Sequence, residues 1–93
     1  MNTTVKADGS CLCGKVRISA ATMATETGCC HCGNCRKWGG GPMMTVECDT
    51  EVSFEGEELI KVYSSSDWAE RGFCENCGSH LFYRLKSSGQ YYM

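Results

Sequence analysis

Hydrophobic and polar residues alternate in short runs along the chain, and nowhere do apolar residues follow a helical period long enough for a packed helix of ordinary length. Alternation with a period of two, rich in β-branched and aromatic residues, predicts strands. Clusters of Gly, Ser, Asp and Asn separate six such segments, at residues 15–20, 43–48, 52–54, 59–63, 80–85 and 90–93. The sequence therefore predicts a mainly β fold built from short antiparallel strands.

Two local signals add detail to this pattern. Residues 54–57 predict a turn between two strands, with Gly56 free to adopt a positive φ. The stretch 32–39 is expected to form one short helical turn. With no linker, repeat or low-complexity segment, residues 1–93 are expected to form a single domain. The chain stops within the strand-like segment 90–93, and an apolar strand end is rarely left without a turn or a partner, so we expect this domain to be incomplete at its C-terminus.

The chain has 93 residues, of which nine are cysteines, and a domain of this size often needs a disulfide or metal staple. The first ten residues lack the apolar core of a secretory signal, and no apolar run approaches the roughly 18 residues of a membrane span. An odd cysteine count excludes a complete set of internal disulfides. We therefore expect thiols in a reducing cytoplasm, partly bound to metal.

Nine basic residues against eleven acidic ones give a formal net charge of −2. Metal held by thiolates would make the folded protein still more negative. This balance argues against an electrostatic grip on nucleic acid.

Two cysteine pairs lie far apart in the chain, at Cys11/Cys13 and at Cys74/Cys77, and a glycine follows the second cysteine of each pair. Zinc prefers four tetrahedral ligands, and cysteines so close in sequence can bind one ion from a tight turn. Each pair supplies only two ligands. Joined, they predict one closed, structural zinc site of four thiolates.

Between these pairs lies a local cluster in which Cys30, Cys32 and Cys35 can reach one metal from a single segment. A fourth position left to water or substrate is typical of catalytic zinc. Two alternatives stay open. Cys29 or Cys48 could complete a second structural site, or Cys32/Cys35 could pair with Cys74/Cys77 as a zinc ribbon. His31, between two ligands, is expected to face solvent or to act as an outer donor.

Five other features have both a structural and a functional explanation. Arg71 could bind a substrate carboxylate, or it could have a surface or turn-stabilising role. Trp38 and Trp68 could face a substrate or pack in the core. Residues 64–66 could line a polar pocket or form a turn, and residues 39–42 could shape a pocket mouth or form a plain turn.

Four segments carry a resemblance to a known family: GSCLCGKV (9–16), CHCGNCRK (30–37), YSS (63–65) and RGFCENCGS (71–79). Together they resemble the glutathione-dependent formaldehyde-activating enzyme family, which includes centromere protein V-like proteins. All of that family's cysteine motifs occur in order, within residues 9–85. The resemblance implies a Mss4-like fold of small β-sheets around zinc.

Carried over by position, the resemblance implies two zinc ions per chain. It makes the outer pairs the structural ligands and the local cluster the catalytic ligands, as spacing suggests; the structural set is Cys11, Cys13, Cys74 and Cys77, and the catalytic set is Cys30, Cys32 and Cys35. Members of the family continue beyond the position of Met93. The resemblance assigns no role to Cys29 or Cys48, and no glutathione-binding residue.

The implied activity is that of a zinc-dependent carbon–sulfur lyase resembling S-(hydroxymethyl)glutathione synthase. It joins a small thiol such as glutathione to formaldehyde or another aldehyde. A zinc-bound thiol is deprotonated and therefore nucleophilic. The rival interpretation is a non-enzymatic, zinc-stabilised binding module of the Mss4-like fold.

Overall fold

A computed structural model describes residues 4–93, and the secondary structure of these residues is mainly β. The strands are β1 (Thr4–Ser10), β2 (Arg17–Ala24), β3 (Thr27–Cys30), β4 (Met43–Asp49), β5 (Val52–Glu55), β6 (Ile60–Tyr63), β7 (Ala69–Cys74), β8 (His80–Leu85) and β9 (Tyr91–Tyr92). One helix, α1 (Gly33–Gly39), follows β3, and a 3-10 turn (Glu57–Leu59) precedes β6. Neither helix of the described residues has the length and apolar character needed to cross a membrane.

The smaller of two sheets has three antiparallel strands in the order β1-β2-β5. Its central strand pairs Ile18 with Gly9 on one side and with Phe54 on the other. Gly56, at the end of β5, has φ +78°, and a Cβ atom there would collide with the carbonyl oxygen of Lys15. The predicted turn at Gly56 is therefore confirmed, and only glycine fits it without strain.

The larger sheet has six strands in the order β3-β4-β9-β8-β7-β6, again antiparallel throughout. The two-residue strand β9 lies between β4 and β8, where Tyr92 pairs with both Glu47 and Tyr83. The backbone amide of Met93 donates to the carbonyl of Val46 at 3.0 Å, and the Val46 amide donates back at 2.8 Å. The C-terminal segment 90–93 thus joins the two halves of this sheet.

The core is small, and cysteines form part of it. Its buried members are Cys11, Val16, Cys74, Leu81 and Phe82. The Phe82 ring contacts Phe54 and Tyr91, with ring centroids 5.5 and 5.1 Å apart. A core of this size supplies little stability alone, which fits the expected need for a staple.

The predicted mainly β fold and the helical turn within 32–39 are both confirmed. The sequence pattern missed β1, β3 and β7. Strand β1 is exposed along most of its length, so backbone pairing with β2 rather than burial holds it. Strand β7 buries Arg71 among apolar neighbours, and a charged residue there conceals the strand from a hydrophobicity pattern.

Candidate metal centres

Seven of the nine cysteines come together in two separate groups, and the sulfur atoms of each group lie within 4.8 Å of one another. The knuckle cluster contains Cys11, Cys13, Cys74 and Cys77, and the helix cluster contains Cys30, Cys32 and Cys35. No histidine or carboxylate from residues 4–93 joins either group. The grouping is the one that spacing favours, and the zinc-ribbon alternative is not formed.

Two similar turns build the knuckle cluster. The amide of Gly14 donates to the carbonyl of Cys11 at 3.1 Å, and the amide of Gly78 donates to the carbonyl of Cys74 at 2.7 Å. Both glycines have a left-handed φ, of +78° and +77°, which residues with a side chain rarely adopt. Each turn therefore folds its two cysteine side chains to the same side.

The sulfur spacing of the knuckle cluster suits zinc. The sulfur of Cys13 lies 3.4 Å from that of Cys11 and 3.9 Å from that of Cys74. Tetrahedral zinc–sulfur bonds of about 2.3 Å place the sulfurs about 3.8 Å apart. The four donors could therefore hold one zinc ion with little rearrangement, in a site without an open position.

Ser79 connects the two halves of the knuckle cluster. Its hydroxyl oxygen accepts from the amide of Leu12 at 3.0 Å and lies 3.2 Å from the sulfur of Cys77. The hydroxyl group, followed by backbone amides, lowers the pKa of the Cys77 thiol to about 5. A sulfur that ionises this readily is well prepared to bind metal.

The helix cluster is formed where β3 passes into α1. Cys30 ends β3, Cys32 is the N-cap of α1, and Cys35 lies inside the helix on its buried side. The amide of Cys35 donates to the Cys32 sulfur at 3.4 Å. The capping arrangement turns the three side chains toward one point, so this cluster depends on one short segment.

The thiols of the helix cluster ionise unequally. The hydrogen bond from the Cys35 amide is the largest cause that lowers the pKa of Cys32 to about 7. Burial raises the pKa of Cys35 to about 11, against the opposing effect of Arg71. A buried sulfur of this kind needs a positive charge beside it to become a thiolate.

The helix cluster lines a cavity of about 450 Å³, a volume in the usual range for small-molecule sites. The loop and strand before the cluster, residues 24–30, form one wall. The remaining wall comes from β4, β8 and β9, through Met43, Thr45, Glu47, Tyr83 and Tyr92. Among the described residues, no fourth protein ligand completes this group, so a metal ion held there would face the cavity.

Arg71 is buried beside the helix cluster, with only 3% of its surface exposed. Its two terminal nitrogens donate to the sulfur of Cys35 at 3.5 and 3.4 Å, and its Nε donates to the hydroxyl of Ser65 at 3.0 Å. The guanidinium also faces the rings of Trp38 and Tyr83 at 5.1 and 5.0 Å. Of the alternatives for Arg71, a surface position is therefore wrong.

The other two cysteines belong to neither group. Cys29 is exposed at the cavity wall, and its sulfur lies 3.4 Å from Nε2 of His31. Cys48 is buried on β4, where its thiol donates to the carbonyl of Val46 at 3.7 Å and burial raises its pKa. Neither residue completes the helix cluster. His31 is exposed, in accord with its expected solvent-facing position.

The two tryptophans differ. Trp38 is half-buried and stacks on His80, with ring centroids 3.7 Å apart and planes inclined by 5°. Trp68 is 62% exposed, so core packing is the wrong expectation for it. Residues 64–66 belong to the turn between β6 and β7, where the amide of Ser66 donates to the carbonyl of Ala69 at 3.3 Å. The left-handed Gly40 ends α1.

Sequence reasoning missed the cavity wall opposite the cysteines. Met43, Tyr83 and Tyr92 lie in segments that the apolar pattern had identified only as strands. Alternation indicates that a side chain faces one side of a sheet, but it does not indicate which side borders a cavity. No local signal in the sequence could have identified these three residues.

Comparison with known proteins gives concordant results. The sequence profile of the family described as glutathione-dependent formaldehyde-activating enzyme matches residues 6–93. A protein of Schizosaccharomyces pombe, named as an uncharacterized lyase, is 38% identical over 76 residues. That match covers 82% of this chain and 56% of the yeast protein, so the chain spans little more than half of that relative's length.

A crystal structure of a Rhodobacter sphaeroides protein has the same fold, with a TM-score of 0.76 and 23% sequence identity. The superposition covers 92% of this chain and 81% of that one. At 23% identity this likeness supports the architecture alone.

Proposed function

The chain belongs to the glutathione-dependent formaldehyde-activating enzyme family, and from that membership we propose that it is a metal-dependent lyase. The reaction makes and breaks the bond between a thiol sulfur and the carbon of a small aldehyde. The observation that supports this most directly is the helix cluster, which has three sulfurs in a cavity wall and no fourth ligand from residues 4–93. An open coordination position of this kind distinguishes catalytic from structural zinc sites.

Cys30, Cys32 and Cys35 are proposed to hold the catalytic zinc ion. Zinc bound by three thiolates would supply an electrophilic centre that keeps an incoming thiol deprotonated. The chain fixes the three sulfurs through the end of β3 and the cap of α1. The half-buried rings of Tyr83 and Tyr92 border the same cavity.

The proposed chemistry balances without an electron carrier. The thiol sulfur adds to the aldehyde carbon, one carbon–sulfur bond forms, and the π-electron pair of the carbonyl moves to oxygen. The proton that leaves the thiol ends on that oxygen, which gives a hydroxymethyl thioether when the aldehyde is formaldehyde. The reverse reaction cleaves the carbon–sulfur bond, which makes the enzyme a lyase.

The knuckle cluster is proposed to hold a second, structural zinc ion. Its ligands would be the four sulfurs already described, Cys11, Cys13, Cys74 and Cys77. Two of them, Cys11 and Cys74, belong to the buried core, so a metal ion there would connect the start of the chain to β7. The proposed content is therefore two zinc ions per chain, one structural and one catalytic.

The substrates are proposed at the level of chemical class. Glutathione and formaldehyde are the pair that the family's name implies, and they are the first pair to test. The cavity wall formed by the described residues carries two carboxylates, Glu26 and Glu47, and no Lys, Arg or His side chain. This wall has no cationic side chain that could bind the carboxylates of glutathione. We therefore propose the substrate only as a small thiol, of which glutathione is one candidate. None of the nine cysteines forms a disulfide, which suits the reducing cytoplasm proposed for the protein.

Metal analysis combined with NMR tests this function. We expect two zinc ions per chain. With labelled formaldehyde and glutathione, we expect exchange between free formaldehyde and its thiol adduct to be faster than without protein. Cys32→Ser should abolish the acceleration, whereas Cys48→Ser, outside both clusters, should preserve it.

One zinc ion per chain, with Cys30, Cys32 and Cys35 all freely alkylated, would contradict the catalytic site. Two zinc ions without accelerated exchange, for glutathione or any other small thiol, would contradict the lyase activity. In that case the zinc-stabilised binding module becomes the better interpretation of the same fold.

A further inference from the structure

Arg71 is a buried cation without a carboxylate partner. Within residues 4–93, the ion pairs involve Arg17, Lys61 and Arg84. The polar atoms in contact with the Arg71 guanidinium are the sulfurs of Cys35 and Met43 and the hydroxyl of Ser65. Burying an unpaired charge costs several kcal/mol. The surroundings of Arg71 must therefore provide a negative charge.

The contacts of Arg71 point to the sulfur of Cys35 as the anionic partner. Two N–H groups of one guanidinium converge on that atom, at 3.4 and 3.5 Å. Such a fork is the arrangement by which arginine binds an anion. The remaining contacts are neutral: the thioether of Met43, the Ser65 hydroxyl, and the faces of Trp38 and Tyr83.

Three separate elements fix the orientation of the fork. Strand pairing between β6 and β7 places Arg71 opposite Tyr63, two residues from the Ser65 hydroxyl that accepts from Nε. Helix α1 contributes the Trp38 ring, and β8 contributes the Tyr83 ring. A long side chain held on several sides cannot turn away from Cys35, so its charge stays beside the helix cluster.

We propose that Arg71 is a positioning residue that holds the Cys35 sulfur as a metal ligand and favours an anionic fourth ligand at the helix cluster. Three thiolates and one divalent ion carry one net negative charge, and a fourth thiolate would make it two. The positive charge of the guanidinium offsets one unit of that negative charge beside the Cys35 sulfur. This inference rests on the metal site of the proposed function, and it adds that the ligand accepted there is an anion such as a thiolate.

Cobalt(II) bound at the helix cluster tests this role without measuring activity. The zinc-loaded protein is treated with a mild chelator to empty the more accessible site, which is then refilled with cobalt. Thiocyanate serves as the anionic probe and imidazole as the neutral one, each titrated by its cobalt difference spectrum at one fixed pH. The variants are Arg71→Met, which removes the charge, and Arg71→Lys, which keeps it.

Arg84→Met is the matched control. Arg84 lies on the same sheet, pairs with Glu70 at 2.9 Å and faces the ring of Tyr91, but it has no contact with the cysteines. We expect Arg71→Met to weaken thiocyanate binding roughly tenfold to a hundredfold, because the anion then binds a cluster that has lost the positive charge beside one of its sulfurs. Imidazole binding should change less than about threefold, and Arg84→Met should leave both affinities unchanged.

Arg71→Lys separates charge from geometry. Lysine keeps the positive charge but lacks the planar fork. We expect Arg71→Lys to retain most of the thiocyanate affinity. In both Arg71→Lys and Arg71→Met, the sulfur-to-cobalt charge-transfer band should move to lower energy. That shift follows because a sulfur that loses two hydrogen bonds gives up electron density more readily.

Three results would overturn the proposal. The first is unchanged thiocyanate binding in a folded Arg71→Met protein. The second is an equal loss for thiocyanate and imidazole, which indicates a general packing role. The third is a sulfur-to-cobalt charge-transfer band at the wild-type energy in both Arg71→Met and Arg71→Lys, which would show that the guanidinium does not hold the Cys35 sulfur.

If Arg71→Met does not fold, Ser65→Ala provides the test. It removes only the acceptor of Nε, in a turn, and should weaken thiocyanate binding more than imidazole binding; equal effects would contradict the proposal. The lyase activity is judged separately by aldehyde exchange. Cobalt and thiocyanate results as expected, without exchange, would refute the activity and retain the role of Arg71.

Discussion

The two cysteine clusters use the same ligand atoms in opposite surroundings. The knuckle cluster joins segments separated by 61 residues, from Cys13 to Cys74, and two of its sulfurs lie in the core. The helix cluster comes from six consecutive positions and lines a cavity. A cluster that ties distant segments together contributes to folding, whereas a local one can form on a finished fold. The comparison teaches that chain separation and burial, rather than ligand type, distinguish the two clusters, and this difference is the basis of the two roles proposed for them.

The largest effect is expected where the knuckle cluster is broken. Cys74→Ser should leave the domain unfolded or aggregated, because metal binding supplies on the order of 10 kcal/mol of folding free energy in small zinc domains. Circular dichroism and thermal melting measure this. Cys48→Ser is the control, because Cys48 is also a buried strand cysteine but belongs to neither cluster. It should cost about 1–3 kcal/mol and keep both metal ions.

The second prediction concerns the helix cluster. Cys32→Ser should leave the fold intact while one metal ion and the aldehyde exchange are lost, because Cys32 is exposed and contributes nothing to the core. Metal content, circular dichroism and exchange rate measure the three properties. Equal loss of structure in Cys32→Ser and Cys74→Ser would contradict the proposal that only the knuckle cluster has a structural role.

A smaller effect is expected for the Ser79 hydroxyl, which connects the two halves of the knuckle cluster. Ser79→Ala removes the acceptor of the Leu12 amide and the hydrogen bond to Cys77. We expect a loss of about 1 kcal/mol in the free energy of unfolding, measured by denaturant titration. Thiocyanate binding to cobalt at the helix cluster should not change. A change there would mean that the two clusters are coupled.

The smallest effect concerns thiol preference at the cavity. Because its wall carries Glu26 and Glu47, cysteamine should bind a few-fold more tightly than 3-mercaptopropionate. The preference should shrink at high salt, since exposed charges are screened. Glu47→Gln should reduce it, and Glu57→Gln, on the 3-10 turn outside this cavity, should not. A preference for the carboxylated thiol would show that these charges do not select the ligand.

Some of the site was accessible from the sequence because it depends on local backbone geometry. The spacing of Cys30, Cys32 and Cys35 indicated one cluster, and the capping geometry of a single turn brings those sulfurs together. The glycines after Cys13 and Cys77 indicated tight turns, and both have left-handed φ angles. Hydrophobic alternation likewise predicted most of the strands.

Other features were not accessible because they depend on which strands become neighbours. Arg71 had equally plausible surface and ligand-binding explanations in the sequence. Its burial follows from the pairing of β7 between β6 and β8, which encloses the side chain between Trp38 and Tyr83. The segment 90–93 was predicted as a strand, but its position in the sheet was not: β9 pairs with both β4 and β8.

The sequence alone determined the family, the mainly β composition and the local cysteine motifs, because each depends on short-range spacing and on the conformations open to a few residues. It favoured joining Cys11/Cys13 to Cys74/Cys77, but only the tertiary structure brings these distant pairs together. The tertiary structure decided what surrounds those cysteines. Only the packed sheets bring a buried cation to Cys35, leave a cavity beside the helix cluster and place the sulfurs of Cys11 and Cys74 in the core. Charge and solvent access at a metal ligand are set by atoms distant in the chain, and no local pattern encodes them.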